Sequence, residues 1–532
     1  MSATTRRLGR GAAVSGLLLA LVACSGPASS VNVDDVPAAE RIEVSIGYNN
    51  NSSWDPLNTG SAFAMAAQNH IYEALWDAEA VTRKPYAALA AALPTDDELT
   101  SKTWTVKLRD GAKWQDGQPV TADDVVFSFG RVLDPASKII TTGFFSDWLD
   151  SVNKVDDQTV QINMKFPFTY ALQRFSIVKI MPKHVFEGKD ASFLAQGKNA
   201  LGSGPYKVAA HEDTSFTRLV LADTYNGPLK PTVKQLQWNV AVDPAARLAS
   251  LTAASDPVQI SDNIPTDGLD QLKQRGLTVE GKDSMNMLGL AFNTSKAPFD
   301  NKLVRQALRT AIDTEKLIDV SISGQGTPAT SFLQESSPYY NKANTQYTYN
   351  QEKAKALLKQ AGVSTPIKIR LMSTNISWTK VAVNTIKESW DAIGVETTLD
   401  VVETAQFNSK LAAGDDADVV TFSGNPNQFG IDPDLNVRWF YSPTSQFMPW
   451  NKWSDTSDYK ALMEQLDAAL RATSESEATK KMNIALDTIA DEAVVYPVMH
   501  MKLFTAWDAN KIGGVQALDI PGVNLLNATR KA

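Results

Sequence analysis

Four histidines, at positions 70, 184, 211 and 500, and one cysteine, Cys24, are all this 532-residue chain offers for soft metal ligation or thiol chemistry. The histidines are too scattered to suggest a ligand pair, and a single thiol excludes both a disulfide framework and a cysteine-rich zinc site. Nucleophilic chemistry fares no better, because neither a G-x-S-x-G turn nor an H-E-x-x-H helix occurs. Gly202-Ser203-Gly204-Pro205 sets a serine between glycines, but its spacing and its proline suit a turn. The acidic pairs Asp96-Asp97 and Asp415-Asp416 are adjacent in sequence, so their side chains diverge and cannot flank a glycosidic bond. The expectation is a chain that is not an enzyme, with no metal and no cofactor. The remaining candidates are groups that hold rather than convert: runs of side-chain amides, and tryptophans with flat apolar faces.

Charge and length narrow the class further. With 51 basic against 59 acidic residues the net charge is −8, and no basic tract is present, which argues against nucleic acid as a partner. A chain of this length exceeds what one hydrophobic core supports, and its 43% apolar and 21% charged residues are those of a globular protein. Arg6, Arg7 and Arg10 precede a short apolar run, residues 11–23, that is too short to span a bilayer and fits a secretory leader. Leu21-Val22-Ala23-Cys24 resembles the lipobox of bacterial lipoproteins, which implies that Cys24 is acylated and becomes the first residue of the mature chain. Two or more lipid tails anchor a protein stably to a membrane. Loss of residues 1–23 removes three arginines and no acid, taking the net charge to −11. Residues 24–41 then form a lipidated cysteine and a small, polar, flexible tether.

The elements that must carry any site alternate between strand and helix. Ile42, Val44, Ile46 and Tyr48 share one face of a strand, as do Trp104, Val106 and Leu108, then Val160, Ile162 and Met164, then Leu236, Trp238, Val240 and Val242. Thr121 and Asp124 make a capping box ahead of an apolar stripe through Val125, Val126, Phe129, Val132 and Leu133. Asp300 is expected to cap a second helix and Asn350 a third that stops at Gly362; a fourth runs from Trp378 to Trp390 and stops at Gly394. Arg305 is expected to pair with Asp300 or Asp313. The fold class is α/β.

Several stretches in order along the chain are similar to one family. These are Trp104 to Gly117 with Thr121 to Phe129, Gly202 to Tyr206, Leu290 to Asn293, Pro298 to Asp300, Val304 to Asp313, Asn350 to Gly362, and Trp390 to Val395. Together they resemble the extracellular solute-binding lipoproteins of ABC importers, in the family that takes up dipeptides, oligopeptides and nickel. The resemblance implies a two-lobed periplasmic-binding-protein-like fold with an extra subdomain inserted in the first lobe. By that analogy residues 42–80, 195–282 and 497–532 form lobe I, 81–194 the insertion and 283–496 lobe II, with crossovers near 280 and 497. It also implies ABC permease and ATPase subunits as partners, a monomer anchored by lipid to the outer face of the cell membrane, and peptide capture in a cleft between the lobes.

A cleft of this kind needs an apolar lining and a few placed polar groups. The loop after the first strand offers Asn49, Asn51 and Trp54, although a plain turn cluster would read the same way. Asn286 follows the expected crossover. The segment 420–434 offers Phe422, Ser423, Gly424, Asn425 and Asp432. In peptide-binding relatives this segment places an aspartate on the ligand's α-amino group; here Asn425 stands there unless Asp432 takes the role. A neutral amide cannot make the charge-assisted bond an ammonium prefers. Trp378 and Trp439 are flat aromatic candidates, which keeps an oligosaccharide ligand open as the alternative. A secreted sensor or chaperone, and last a hydrolase, are the alternatives from other classes.

Overall fold

The computed structural model describes residues 36–49, 53–443 and 445–531. The leader, Cys24 and Asn51 lie outside the described residues. Strand Arg41–Ile46 buries Ile42, Val44 and Ile46 completely and lies parallel to Gln235–Val240, with Arg41 opposite Gln235 and Ile46 opposite Val240. Phe216–Leu221 and Tyr206–Glu212 extend the sheet antiparallel on that side. On the other side, Ile260–Ser261 joins Arg41–Ile46 to the long strand Val495–Trp507.

Val495–Trp507 runs antiparallel to Thr278–Phe292 along almost its whole length, from Thr278 opposite Trp507 to Ala291 opposite Val495. Beyond it follow Val419–Gly424, Ile367–Thr374 and Val395–Val402, so one twisted sheet carries both halves of the molecule. Its last three strands run parallel, and helices Lys302–Thr310 and Ser377–Asp391 bury apolar faces in the core on that side. Gly362 and Gly394 both adopt positive φ where their helices end.

Residues 103–164 build a separate three-stranded antiparallel sheet, Thr103–Lys107, Thr159–Met164 and Leu149–Asp156, under helix Ala122–Leu133. Asp124 accepts from the Thr121 backbone N–H at 2.8 Å, closing the expected capping box. Edge-to-face and tilted contacts among Trp76, Trp104, Phe129, Phe145, Trp148 and Phe175 fill the space beneath it.

Three local expectations are corrected. Asn301, not Asp300, caps helix Lys302–Thr310, its side chain accepting the Leu303 N–H at 2.9 Å. Arg305 pairs with Glu492 at 2.9 Å, and Asp300 gives it only a backbone carbonyl. Val242 lies beyond the strand that ends at Val240 and is exposed. The Gly202–Pro205 segment is a turn, as its residues suggest. A Cβ on Gly202 would come within 2.0 Å of the Ile71 carbonyl oxygen, so only glycine allows the two backbones to meet.

His70 ties the C-terminal segment to this framework. Its Nδ1 lies 3.0 Å from the Ala66 carbonyl oxygen, and its Nε2 accepts the Leu525 N–H at 3.0 Å, which requires the neutral ring. Burial pushes His70 down to about 4, and buried His500 falls to about 4 for the same reason. The unfolded chain binds these protons near the ordinary 6.5, so the folded state loses stability as pH falls from 6.5 towards 4, by about 3 kcal/mol per ring. The variant His70→Gln is expected to shed one ring's share of this loss; urea unfolding at pH 7 and pH 4.5 for both proteins measures it.

Candidate functional site

One cleft holds about 1400 Å³ of empty space, part of it open to solvent. One wall comes from helix Ala62–Ile71, the hairpin Trp76–Ala78 with Pro85–Ala87, and residues 172–179. The opposite wall comes from the turn Pro426–Phe429 with Gly430 and Ile431, and residues 518–526 close the space between. Met65, Leu172, Ile177, Phe429, Ile431 and Ile520 give it apolar surface, while Asn69, Gln173, Gln428 and Asn524 contribute amides. This is the mix expected of a site that binds without chemistry.

Local chemistry sets each wall. Ser61 Oγ accepts the Ala64 N–H and starts the first helix. Gly430 has φ +130°, a conformation other residues rarely adopt, and it turns the chain so that Phe429 and Ile431 both reach the cleft. Residues 518–526 are pinned by His70 through Leu525 and by Asp262, which accepts the Gly522 N–H at 2.7 Å.

Every charged side chain of the lining has an opposite partner. Lys179 pairs with Asp77, whose other oxygen accepts the Ala74 N–H at 3.0 Å. Arg83 meets Asp519 at 2.5 Å, and Asn427 Nδ2 donates to the same carboxylate at 2.9 Å. Beside Asp77, burial raises the Glu73 carboxyl to about 7 despite Arg109 at 2.8 Å.

Close by, the two walls are joined through a buried charge cluster. Arg174 Nε donates to Asp432 at 2.7 Å, and its Nη2 reaches both Asp432 and Asp434, the latter at 3.1 Å. Asp434 also accepts from Arg438 Nε at 2.7 Å, and Arg438 continues to Asp467 at 2.7 Å. All three of Arg174, Asp432 and Asp434 have side chains no more than 3% exposed. Burial raises Asp432, with Asp434 adding to it against Arg174; at Asp434 burial also acts upward, but Arg438 and Arg174 outweigh it and hold the carboxyl low. Phe144 packs on Phe429 and Trp439 across the same junction, and Gln173 Nε2 donates to Tyr339 at 3.4 Å.

The residues expected to bind ligand are distributed unevenly around this site. The 420–434 segment does reach the cleft, but through Gln428, Phe429, Gly430 and Ile431. Phe422 is buried against Phe440 and Phe447, and Gly424 pairs opposite Met287. Ser423 is exposed, and Asn425 caps the turn with both side-chain polar atoms buried and unpartnered. Asp432 caps helix Pro433–Tyr441, accepting the Asp434 N–H at 2.9 Å with one oxygen while Arg174 occupies the other. Trp439 stacks behind Phe429 at 4.9 Å. Trp54 is in the core beside Phe63 and His211, Asn49 is exposed, Asn286 is half-buried on strand Thr278–Phe292, and Trp378 packs on the core that helices Lys302–Thr310 and Ser377–Asp391 cover.

Sequence reading missed Asp77, Arg83, Gln173, Arg174, Lys179 and Asp519. A signal existed for two of them. Lys179 sits inside Ile177-Val178-Lys179-Ile180-Met181 and Arg174 just after Ala171-Leu172-Gln173, and a cation within an apolar run needs a buried counter-ion. Its partner was not legible, since Arg174 and Asp432 are 258 positions apart.

A two-layered α/β sheet shared by two halves, with a polar-apolar cleft between walls, defines a solute-binding protein. Residues 84–447 match the bacterial extracellular solute-binding proteins, family 5 (middle region), and the chain belongs to that family as a substrate-binding component of an ABC importer. It is 25% identical over 488 residues to the glutathione-binding protein GsiB of Escherichia coli O1:K1, covering 90% of this chain and 92% of that one. The fold matches a dipeptide-binding protein from Pseudoalteromonas sp. SM9913 solved with Met-Leu, with a TM-score of 0.77 at 21% identity, over 92% of this chain and all of that one. It also matches the oligopeptide-binding protein AppA of Bacillus subtilis solved with a nonapeptide, with a TM-score of 0.78 at 20% identity, over 92% and 99% of the two chains.

Removing Arg174 leaves Asp432 buried beside Asp434 without its cation, a loss of about 3–5 kcal/mol for a buried pair broken on one side. The variant Arg174→Met is expected to relieve this by parting the two walls and hydrating the acids. Its radius of gyration from small-angle scattering should exceed that of the parent, with a lower melting temperature; an unchanged pair of values would show that the cluster does not hold the walls together.

Proposed function

We propose that this chain captures peptides in the cleft between its two walls and hands them to an ABC permease without transforming them. The observation that carries the reading is the cleft itself: some 1400 Å³ with apolar patches for side chains and amides for backbone groups. Relatives whose names specify glutathione, a dipeptide and a nonapeptide support it. The lobes are taken as residues 42–80, 195–282 and 497–532 against 283–496, with 81–194 inserted in the first. Cleft contacts are then expected mainly from Gln173, Gln428, Phe429 and Ile431 rather than from Trp54 or Phe422. Ligand shifts the open–closed population through contacts that exist only when the walls meet.

The same reading makes the chain a monomer held at the outer face of the cell membrane through an acylated Cys24. No helix among the described residues is long and apolar enough to cross a membrane. Cys24→Ala is expected to move the protein from the membrane fraction to the soluble extracellular or periplasmic fraction, read by immunoblotting of fractionated cells. Retention in the membrane fraction would remove the lipid anchor from the reading.

Capture itself is tested on the protein lacking residues 1–24, by thermal shift against di- to pentapeptide pools and oligosaccharides. A ligand that binds only the folded state stabilises by about 2.7 kcal/mol at a hundredfold excess over Kd, enough to raise the melting temperature by several degrees. Stabilisation by peptides is expected. Stabilisation by oligosaccharides alone would replace peptides with sugars as the ligand class.

A further inference from the structure

We infer that the cleft selects peptides without a free α-ammonium, their amino end masked by acylation or by ring closure; this rests on the peptide reading above. The ground is the charge balance of the lining. Lys179 is neutralised by Asp77 and Arg83 by Asp519, so among the described residues the cleft offers no carboxylate in want of a cation. Of the acids close by, Glu73 is held by Arg109, and Asp432 and Asp434 are held by Arg174 and Arg438. An incoming ammonium has two courses. It remains unpaired in a closing cavity, or it takes Asp77 or Asp519 and leaves Lys179 or Arg83 as the stranded charge; either way one buried charge goes uncompensated.

The polar groups left over want a neutral partner. Arg83 Nε and Gln173 Oε1 both belong to cleft-lining residues, and each is buried without a hydrogen-bond partner. One is a donor and the other an acceptor. A masked peptide end, an amide with C=O and N–H side by side, supplies the complement of both after small rotations of these side chains.

The test compares three sets on the protein lacking residues 1–24 by calorimetry and thermal shift: N-acetylated tri- to pentapeptide amides, the same sequences with free ends, and neutral oligosaccharides. Masked peptides are expected to bind at least tenfold more tightly than their free counterparts. Equal or tighter binding of the free peptides overturns the inference and leaves peptide capture standing. Stabilisation by oligosaccharides only, or by none of the three sets, removes the peptide reading and this inference with it. Lys179→Gln provides an independent arm, because it leaves Asp77 without its cation. In that variant the preference should move towards free-ended peptides by tenfold or more, and an unmoved ratio counts against the charge argument.

Discussion

Thr278–Phe292 and Val495–Trp507 pair with each other, and through them the strands around Arg41–Ile46 and the parallel strands of the other half become one sheet. At about 3.3 Å per residue, fifteen residues reach roughly 50 Å, far beyond the usual strand of five or six. Any rotation of one half against the other must pass through this pair. Its ladder is irregular between Asp283 and Met287, where Ser284 Oγ takes over by donating to the Met501 carbonyl at 2.9 Å. The break thus keeps its backbone acceptor satisfied while losing regular spacing. Positions of the cleft walls depend on how these two strands twist.

The second determinant is charge taken out of water. Exposed ion pairs are screened and worth little, but Arg174 with Asp432 and Asp434 is shielded from solvent and bridges chain segments that approach from opposite walls. Such a cluster favours one geometry because every alternative leaves some member without its partner. Lys179 with Asp77, and Arg83 with Asp519, extend the same arrangement into the cleft, with Asn427 filling a remaining acceptor position on Asp519.

Periodicity made most elements legible. Alternation at Ile42, Val44 and Ile46 and the Thr121–Asp124 capping box are local patterns, and local patterns survive into the fold. The cap at Asp300 slipped by one residue because Asn301 is an equally good acceptor and the helix starts where the backbone, not the side chain, decides. The site was less legible for a different reason. Asp432 looked available because a sequence shows a carboxylate but not the Arg174 that covers it from 258 residues away. Trp54 looked like a binding plate because polar neighbours surround it in sequence, whereas in space Phe63 and His211 do. Of the segment 420–434, the residues that reach the cleft are Gln428, Phe429, Gly430 and Ile431, which follow Pro426.

The wall formed by residues 518–526 has a consequence for how the molecule comes into being. Its anchors, His70 and Asp262, are made hundreds of residues before Leu525 and Gly522. During synthesis, residues 41–46 are therefore made long before the segment that completes the cleft. Until that segment arrives, the Nε2 acceptor of His70 and a carboxylate of Asp262 face the place where it will dock. Ligand recognition is in this sense the last property the chain acquires, since a chain that stops short of residue 518 lacks one side of its cleft.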